Sequence, residues 1–216
     1  MIPSLNHSRL YNQAIVLAIF TIVYNIIEGV LSAYFGVKDE TLTLFGFGMD
    51  SFVENIWAIC ITQMVVRIRA NPNSDKSKFE VVALKITGWC FYALAVVLLV
   101  SAVISIIEGH QPTSTVAGIV IAGISILIMW ALIISKKYLG RELNSSAMIA
   151  DANCNKVCVY MSVLLLLSSG LYELFQIPYI DALGALGLIY FCITEGKEAF
   201  EKAKGIHACG CDDATH

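Results

Sequence analysis

The stretch YNQAIVLAIFTIVYNIIEGVLSAYFG runs from Tyr11 to Gly36 and contains a single charged residue, Glu28. A helix needs about 20 apolar residues to cross the ~30 Å hydrocarbon core of a bilayer. This stretch is longer than the roughly 7–15 residue apolar core of a signal peptide, and no small-residue cleavage pattern follows it. It therefore predicts a transmembrane helix that is retained rather than a leader that is removed.

Five further stretches share these properties. The chain has 216 residues, of which 57% are hydrophobic and only 14% charged, whereas soluble domains average about 25% charged residues. The six predicted spans are residues 11–36, 41–66, 82–107, 114–135, 147–174 and 180–196. We expect an all-α membrane protein, with one six-helix transmembrane domain over residues 1–205, a flexible tail over 206–216 and no folded cytoplasmic domain.

The basic residues predict the orientation of the spans, because loops rich in Lys and Arg stay in the cytoplasm. Twelve of the 14 basic residues fall on one side of the six-span arrangement, Lys38 alone lies on the other, and Lys156 lies within a span. Both termini are then cytoplasmic. We expect an integral protein of a bacterial inner membrane or an equivalent bilayer.

Composition also excludes two function classes. The net charge of -3 shows no concentrated basic face for nucleic acid. The seven cysteines are an odd number, and five of them lie within apolar stretches. This placement argues against an extracellular disulfide framework.

The strongest chemical signal is a pair of acids inside the second span, Asp50 and Glu54. An ionisable side chain in a span costs about 2.5–3.5 kcal/mol on insertion scales, so it indicates a function by default. Residues four apart share one helix face, so both carboxylates can reach one ion. The alternative is that they are paired within the bundle, and Lys156 is the one lysine predicted to lie deep enough for that.

The fifth span places Asp151, Cys154 and Cys158 on one stripe. Thiolates bind soft and borderline metals, and Cys154 and Cys158 together with Asp50 and Glu54 would supply four tetrahedral ligands. The alternative is that the cysteines are small buried hydrophobes. We favour that alternative for the cysteines with apolar neighbours, which are Cys60, Cys90 and Cys192.

Other polar residues of the spans are secondary candidates. Asn25 and Glu28 lie one turn apart and either support the ligands, form a proton path or make ordinary hydrogen bonds in the bundle. Lys156 is offset from Cys154 and would act on the thiols through its charge. Asp181 opens the sixth span. The helix dipole favours a negatively charged side chain at a helix N-terminus, which indicates a structural cap.

The tail carries His207, Cys209 and Cys211. Short His/Cys tracts are typical of metal capture. A terminal segment of this kind can equally be disordered and inert, and the sequence favours neither interpretation.

Four segments together resemble the membrane domain of the cation diffusion facilitator family. They are Asn25-Ile26-Ile27-Glu28-Gly29, Gly48-Met49-Asp50-Ser51-Phe52-Val53-Glu54, Ala150-Asp151-Ala152 and Asp181-Ala182-Leu183. The resemblance implies a six-helix exporter that exchanges a divalent metal ion such as zinc for protons. It also implies that the protein is a transporter and not an enzyme, and that it works as a homodimer. It implies no prosthetic group, since the metal ion is the cargo.

The resemblance also implies ligands on the second and fifth spans. The acids four apart in the family match Asp50 and Glu54, whereas its histidine and aspartate fall on Cys154 and Cys158. Thiols in those places shift the expected cargo toward softer ions such as cadmium. Two alternatives remain: a membrane metal sensor that binds without transport, and a thiol redox carrier, which is disfavoured because cysteines at i and i+4 rarely reach disulfide geometry.

Overall fold

The computed structural model describes residues 4–70, 78–109, 111–143, 146–176 and 179–204. Six α-helices make up this part of the chain. They are α1 (Ser4–Lys38), α2 (Leu42–Ala70), α3 (Lys78–Glu108), α4 (Val116–Glu142), α5 (Ser146–Phe175) and α6 (Ile180–Lys204). Each predicted span lies within one of these helices, apart from one residue at the start of α2 and two at the start of α4.

The helices extend beyond the predicted spans, because helix formation continues past the apolar stretch. The largest difference is at α4, which continues to Glu142, so the prediction that a loop begins at Lys136 is wrong. Within the described residues, four helices contain a segment apolar and long enough to cross a membrane, namely Asn12–Lys38, Leu84–Glu108, Val116–Glu142 and Asn155–Phe175. Helices α2 and α6 are not among these four, and α6 carries seven acidic and basic residues.

Contacts between neighbouring helices fix their directions. Asn25 meets Glu54 and Gly36 lies beside Phe45, so α1 and α2 are antiparallel. The same pattern relates α4 to α5 and α5 to α6, through Ser125 with Ser162 and Ser168 with Gly184. The N-terminus of α1 and the C-terminus of α6 therefore lie at one end of the bundle, called here the termini end, and the opposite end is the distal end.

Small residues let the helices approach closely, as is common in membrane bundles. A Cβ atom on Gly48 would lie 2.5 Å from the backbone nitrogen of Ala33 on α1. A Cβ on Gly184 would lie 2.5 Å from the hydroxyl oxygens of both Ser168 and Thr43. Gly184 thus lets α6 pack closely against both α5 and α2.

An apolar cluster fills the bundle on the distal side of the acidic pair. Its buried members come from the five helices α2 to α6 and include Leu44, Phe47, Leu98, Leu165 and Leu188. Large apolar side chains also cover much of the outer surface, which is the expected arrangement for helices that face lipid. The interior next to this cluster, toward the termini end, contains buried polar side chains and the candidate site.

Candidate metal centre

A small cavity lies among α1, α2, α3, α5 and α6. Its free volume is about 30 Å³, room for about one water molecule or a bare ion. The wall contains both polar and apolar side chains. The polar members are Thr21, Asn25, Asp50, Glu54, Thr87, Asn155, Cys158 and Glu195.

Glu54 is bound from two neighbouring helices. The Cys158 thiol donates a hydrogen bond to its Oε1 atom, and Asn25 Nδ2 donates to its Oε2 atom at 3.2 Å. Glu54 lies 12 residues into α2, about 18 Å along the axis. The structure therefore brings together a carboxyl group and a thiol that are 104 residues apart in the chain.

Asp50 lies one turn from Glu54 and differs from it in its hydrogen-bond partners. Its side chain is only 3% exposed, and its Oδ1 atom accepts no hydrogen bond from the residues that the structure describes. A buried polar atom without a partner is costly and marks a functional group or a bound species. Asp50 also lines the cavity, so this oxygen is available to a ligand there.

Asn25 and Glu28 occupy two successive layers. Asn25 supports Glu54, as described above, whereas Glu28 accepts hydrogen bonds from Tyr24 at 2.7 Å and Ser51 at 3.2 Å. Glu28 therefore lies one turn to the distal side of the cavity and does not line it. The structure places Asn25 beside a predicted ligand and gives Glu28 ordinary bundle contacts.

The buried lysine is Lys136, and the expectation that Lys156 is the one deep lysine is wrong. Lys136 is 2% exposed and donates to Asn155 Oδ1 at 3.4 Å, while Lys156 is half-buried. The ammonium group of Lys136 lies close enough to Glu54 for their charges to interact. Sequence reasoning missed this residue because the end of the apolar stretch was taken as the end of the helix.

Asp181 has the structural role expected of a cap, but for another helix. Its carboxylate oxygens accept the backbone N–H groups of Leu42 at 2.7 Å and Thr43 at 3.1 Å. These are the first residues of α2, whose first-turn N–H groups have no partners within the helix. Asp181 therefore caps α2 from α6 and belongs to the distal end, away from the cavity.

Glu195 lines the cavity and was not identified from the sequence. It lies on α6, on the same stripe as the buried residues Leu188, Cys192 and Ala199, and it lines the cavity. An acid in register with an apolar helical stripe is the signal that could have identified it. Cys192 packs in the apolar cluster, and Cys90 packs against it, in agreement with the packing role expected for both.

The remaining predicted ligands lie outside the described residues. They are the side chains of Asp151 and Cys154 and the tail residues His207, Cys209 and Cys211. Among the side chains that the structure does describe, no three His, Cys, Asp or Glu residues are placed to hold a metal ion. The side chain of Cys60 lies outside the described set as well.

Taken together, buried carboxyl groups and a thiol surround one ion-sized cavity in a bundle of membrane helices. The sequence also matches the family model of the cation efflux transmembrane domain over residues 14–204. The chain belongs to the cation efflux family. A comparison with curated proteins finds no match.

Membership of the cation efflux family fixes the general activity. The chain is a cation transporter and an integral membrane protein, as its four strongly apolar helices require. The match spans α1 to α6 and confirms the resemblance drawn from the four sequence segments. In this cation efflux protein the acids and the thiol of the cavity are the groups with the chemistry to bind a cation.

Proposed function

We propose that this transporter carries a divalent heavy-metal cation of the zinc or cadmium type across the bilayer in exchange for protons. The ligands in this proposal are Asp50, Glu54, Cys154 and Cys158. The supporting observation is the contact of Glu54 with Cys158 at the wall of a cavity that also contains the unpartnered oxygen of Asp50. A thiol and two carboxylates are donors suited to soft and borderline cations.

The hydrogen bond between Cys158 and Glu54 supports proton exchange. A thiol that donates to a carboxylate carries a proton, and a metal ion can take its sulfur only when that proton leaves. Binding therefore replaces the hydrogen bond with two metal bonds, and release of the ion allows the proton to return. Every transport cycle would couple the metal to protons in opposite directions.

The direction of access is supported by the two ends of the cavity. Ala58 and Ala199 line it at the termini end, whereas Phe47, Leu98 and Leu188 close the bundle on the distal side. With all six helices crossing the bilayer and both termini in the cytoplasm, this conformation takes ions from the cytoplasm. Rocking of helices that separates the apolar cluster would open the far side.

Two parts of this proposal rest on the family resemblance. The resemblance implies that the ion is exported rather than imported. It also implies that the protein assembles as a homodimer. In the described part of the chain, apolar side chains face outward on every helix, so a dimer would form between membrane helices.

Reconstituted vesicles provide the test. Full-length protein in proteoliposomes should accumulate cadmium or zinc, reported by a trapped metal dye, when an outwardly directed proton gradient is imposed. Adding a protonophore should remove most of this uptake. Uptake that persists unchanged without the gradient would refute proton exchange.

A pair of cysteine variants assigns the activity to the cavity. Cys158→Ser removes the thiol and should reduce cadmium affinity by roughly 10- to 100-fold. Cys90→Ser is the matched control, because Cys90 packs against the apolar cluster on α3 and does not line the cavity. If the two changes have equal effects on cadmium affinity, Cys158 only fills space. If the unsubstituted protein binds metal but shows no flux, it is a metal sensor.

A further inference from the structure

Asn25 on α1 lies beside Glu54, and the two polar atoms of its amide are in opposite situations. Its Nδ2 atom donates a hydrogen bond to Glu54 Oε2 at 3.2 Å. Its Oδ1 atom is buried and accepts no hydrogen bond from the residues that the structure describes, in a side chain that is 2% exposed. Asn25 also lines the cavity. Together with Asp50 it gives the cavity wall a second residue with an unpartnered oxygen.

The chemistry of Glu54 determines which way the Asn25 amide faces. A carboxylate oxygen accepts hydrogen bonds and donates none, so the amide turns its NH₂ group toward Glu54 and its carbonyl oxygen away. The other oxygen of Glu54 already accepts from the thiol of Cys158. The hydrogen bond of Nδ2 therefore holds Asn25 Oδ1 in one orientation. A buried acceptor without a partner costs about 1–3 kcal/mol, so an oxygen held in this way indicates a bound species.

The size and charge of the cavity fit a cation bound by protein oxygens. A free volume of about 30 Å³ has no room for an ion with its hydration shell, so an entering cation must exchange water for protein atoms. Asp50 offers a charged oxygen and Asn25 a neutral one. Amide oxygens bind divalent cations in proteins, as carboxylates do. A neutral donor adds a ligand without adding negative charge to a site that already contains two carboxyl groups and a thiol.

Asn55 on α2 provides a comparison within the same molecule. Its Oδ1 atom is also buried without a partner among the described residues, and its side chain is 8% exposed. Its Nδ2 atom donates to the backbone oxygen of Ser51 at 3.1 Å, and Asn55 does not line the cavity. An unpartnered asparagine oxygen is thus not a ligand by itself. Asn25 differs because it combines that oxygen with a place in the cavity wall and a contact with Glu54.

We propose that Asn25 is a direct ligand of the transported cation, which its Oδ1 atom binds together with Asp50 while its Nδ2 atom holds Glu54. This inference rests on the proposed function of the cavity. The ion is then bound from α1 as well as from α2 and α5. Helix α1 contributes to ion binding itself and not only to the packing of the bundle.

The carbonyl stretching vibration of Asn25 tests this contact directly. Full-length protein with ¹³C at the side-chain carbonyl of its asparagines is placed in nanodiscs, and infrared difference spectra are recorded with and without Cd²⁺. A metal ion polarises the carbonyl group that it binds, so one asparagine band should move to lower frequency. If Asn25 only positions Glu54, its oxygen gains no partner and no band should move in that direction.

Two aspartate variants assign the band. Asn25→Asp removes the labelled carbonyl but keeps an oxygen in the cavity, so Cd²⁺ should still bind while the shifted band disappears. Asn55→Asp is the matched control and should keep the shifted band. In calorimetric titrations, Asn25→Leu should weaken Cd²⁺ binding by about 10-fold or more, because a ligand is lost. Asn55→Leu should leave the affinity within about twofold.

The outcomes separate this inference from the proposed function. If no asparagine band moves to lower frequency, or if the shifted band persists in Asn25→Asp, the inference is wrong and the proposed function stands. A folded Asn25→Asp protein that no longer binds Cd²⁺, or equal losses of affinity in Asn25→Leu and Asn55→Leu, would show a structural role and overturn it as well. If Cys158→Ser and Asp50→Asn leave metal flux intact, the proposed function itself is wrong.

Discussion

Two buried aspartates at different depths of the bundle have almost the same exposure and different surroundings. Asp181 at the distal end is 5% exposed and binds two backbone N–H groups, whereas Asp50 at the cavity is 3% exposed and has an oxygen without a partner among the described residues. The first satisfies the start of a helix, and the second leaves a strong acceptor unused. Burial alone therefore does not distinguish a structural acid from a functional one, whereas the hydrogen-bond partners do.

Other hydrogen bonds near each aspartate show the same difference. At the distal end, Thr115 donates to the backbone oxygen of Ser169 at 2.9 Å, and Tyr172 donates to that of Pro112 at 2.8 Å. Around the cavity, Glu54 is held by a thiol that a metal ion could replace. The distal end is therefore held by hydrogen bonds to backbone oxygens, whereas the cavity contains side chains that can exchange a hydrogen bond for a metal ion.

The largest expected effect comes from removing the negative charge of Asp50. Asp50→Asn keeps the shape of the side chain but should reduce metal flux in proteoliposomes by at least about 100-fold, because a first ligand is lost. Thermal unfolding should be unchanged or slightly shifted upward, since Oδ1 has no partner to lose. An Asp50→Asn protein that still transports metal would show that Asp50 is not needed for transport.

A smaller effect is expected from exchanging the thiols for harder ligands. The double change Cys154→His and Cys158→Asp rebuilds the ligand types that the family resemblance implies. Imidazole and carboxylate are harder than thiolate, so the ratio of zinc to cadmium affinity should rise by roughly 10-fold or more. Calorimetry with each metal measures this ratio. An unchanged preference would mean that the two cysteines serve only in packing.

The smallest effect on transport is expected at the distal aspartate. Asp181→Ala removes a helix cap, which typically costs about 0.5–2 kcal/mol of stability. A protein of this size loses about 2–4 °C in Tm for each kcal/mol, a shift that a thermal melt in detergent detects. Flux per folded molecule should stay near that of the parent. A large loss of flux without a loss of stability would place Asp181 in the transport path.

Much of the fold and part of the site could be predicted from the sequence. Apolar stretches of membrane length predicted each helix, because a span must satisfy its own backbone within lipid. The spacing of Asp50 and Glu54 predicted two acids on one face of α2, and both line the cavity. The thiol of Cys158 was predicted from the polar residues around it, since local chemistry is visible in a linear chain.

Only the tertiary structure decided which groups face one another. Helical periodicity tells which side chains share a face, but it does not tell which neighbouring helix that face meets. The contacts of Lys136 with Asn155, of Asp181 with the start of α2 and of Glu195 with the cavity each join different helices. They depend on close approaches such as that of Gly48 to α1, and these approaches are set by the packing of all six helices at once.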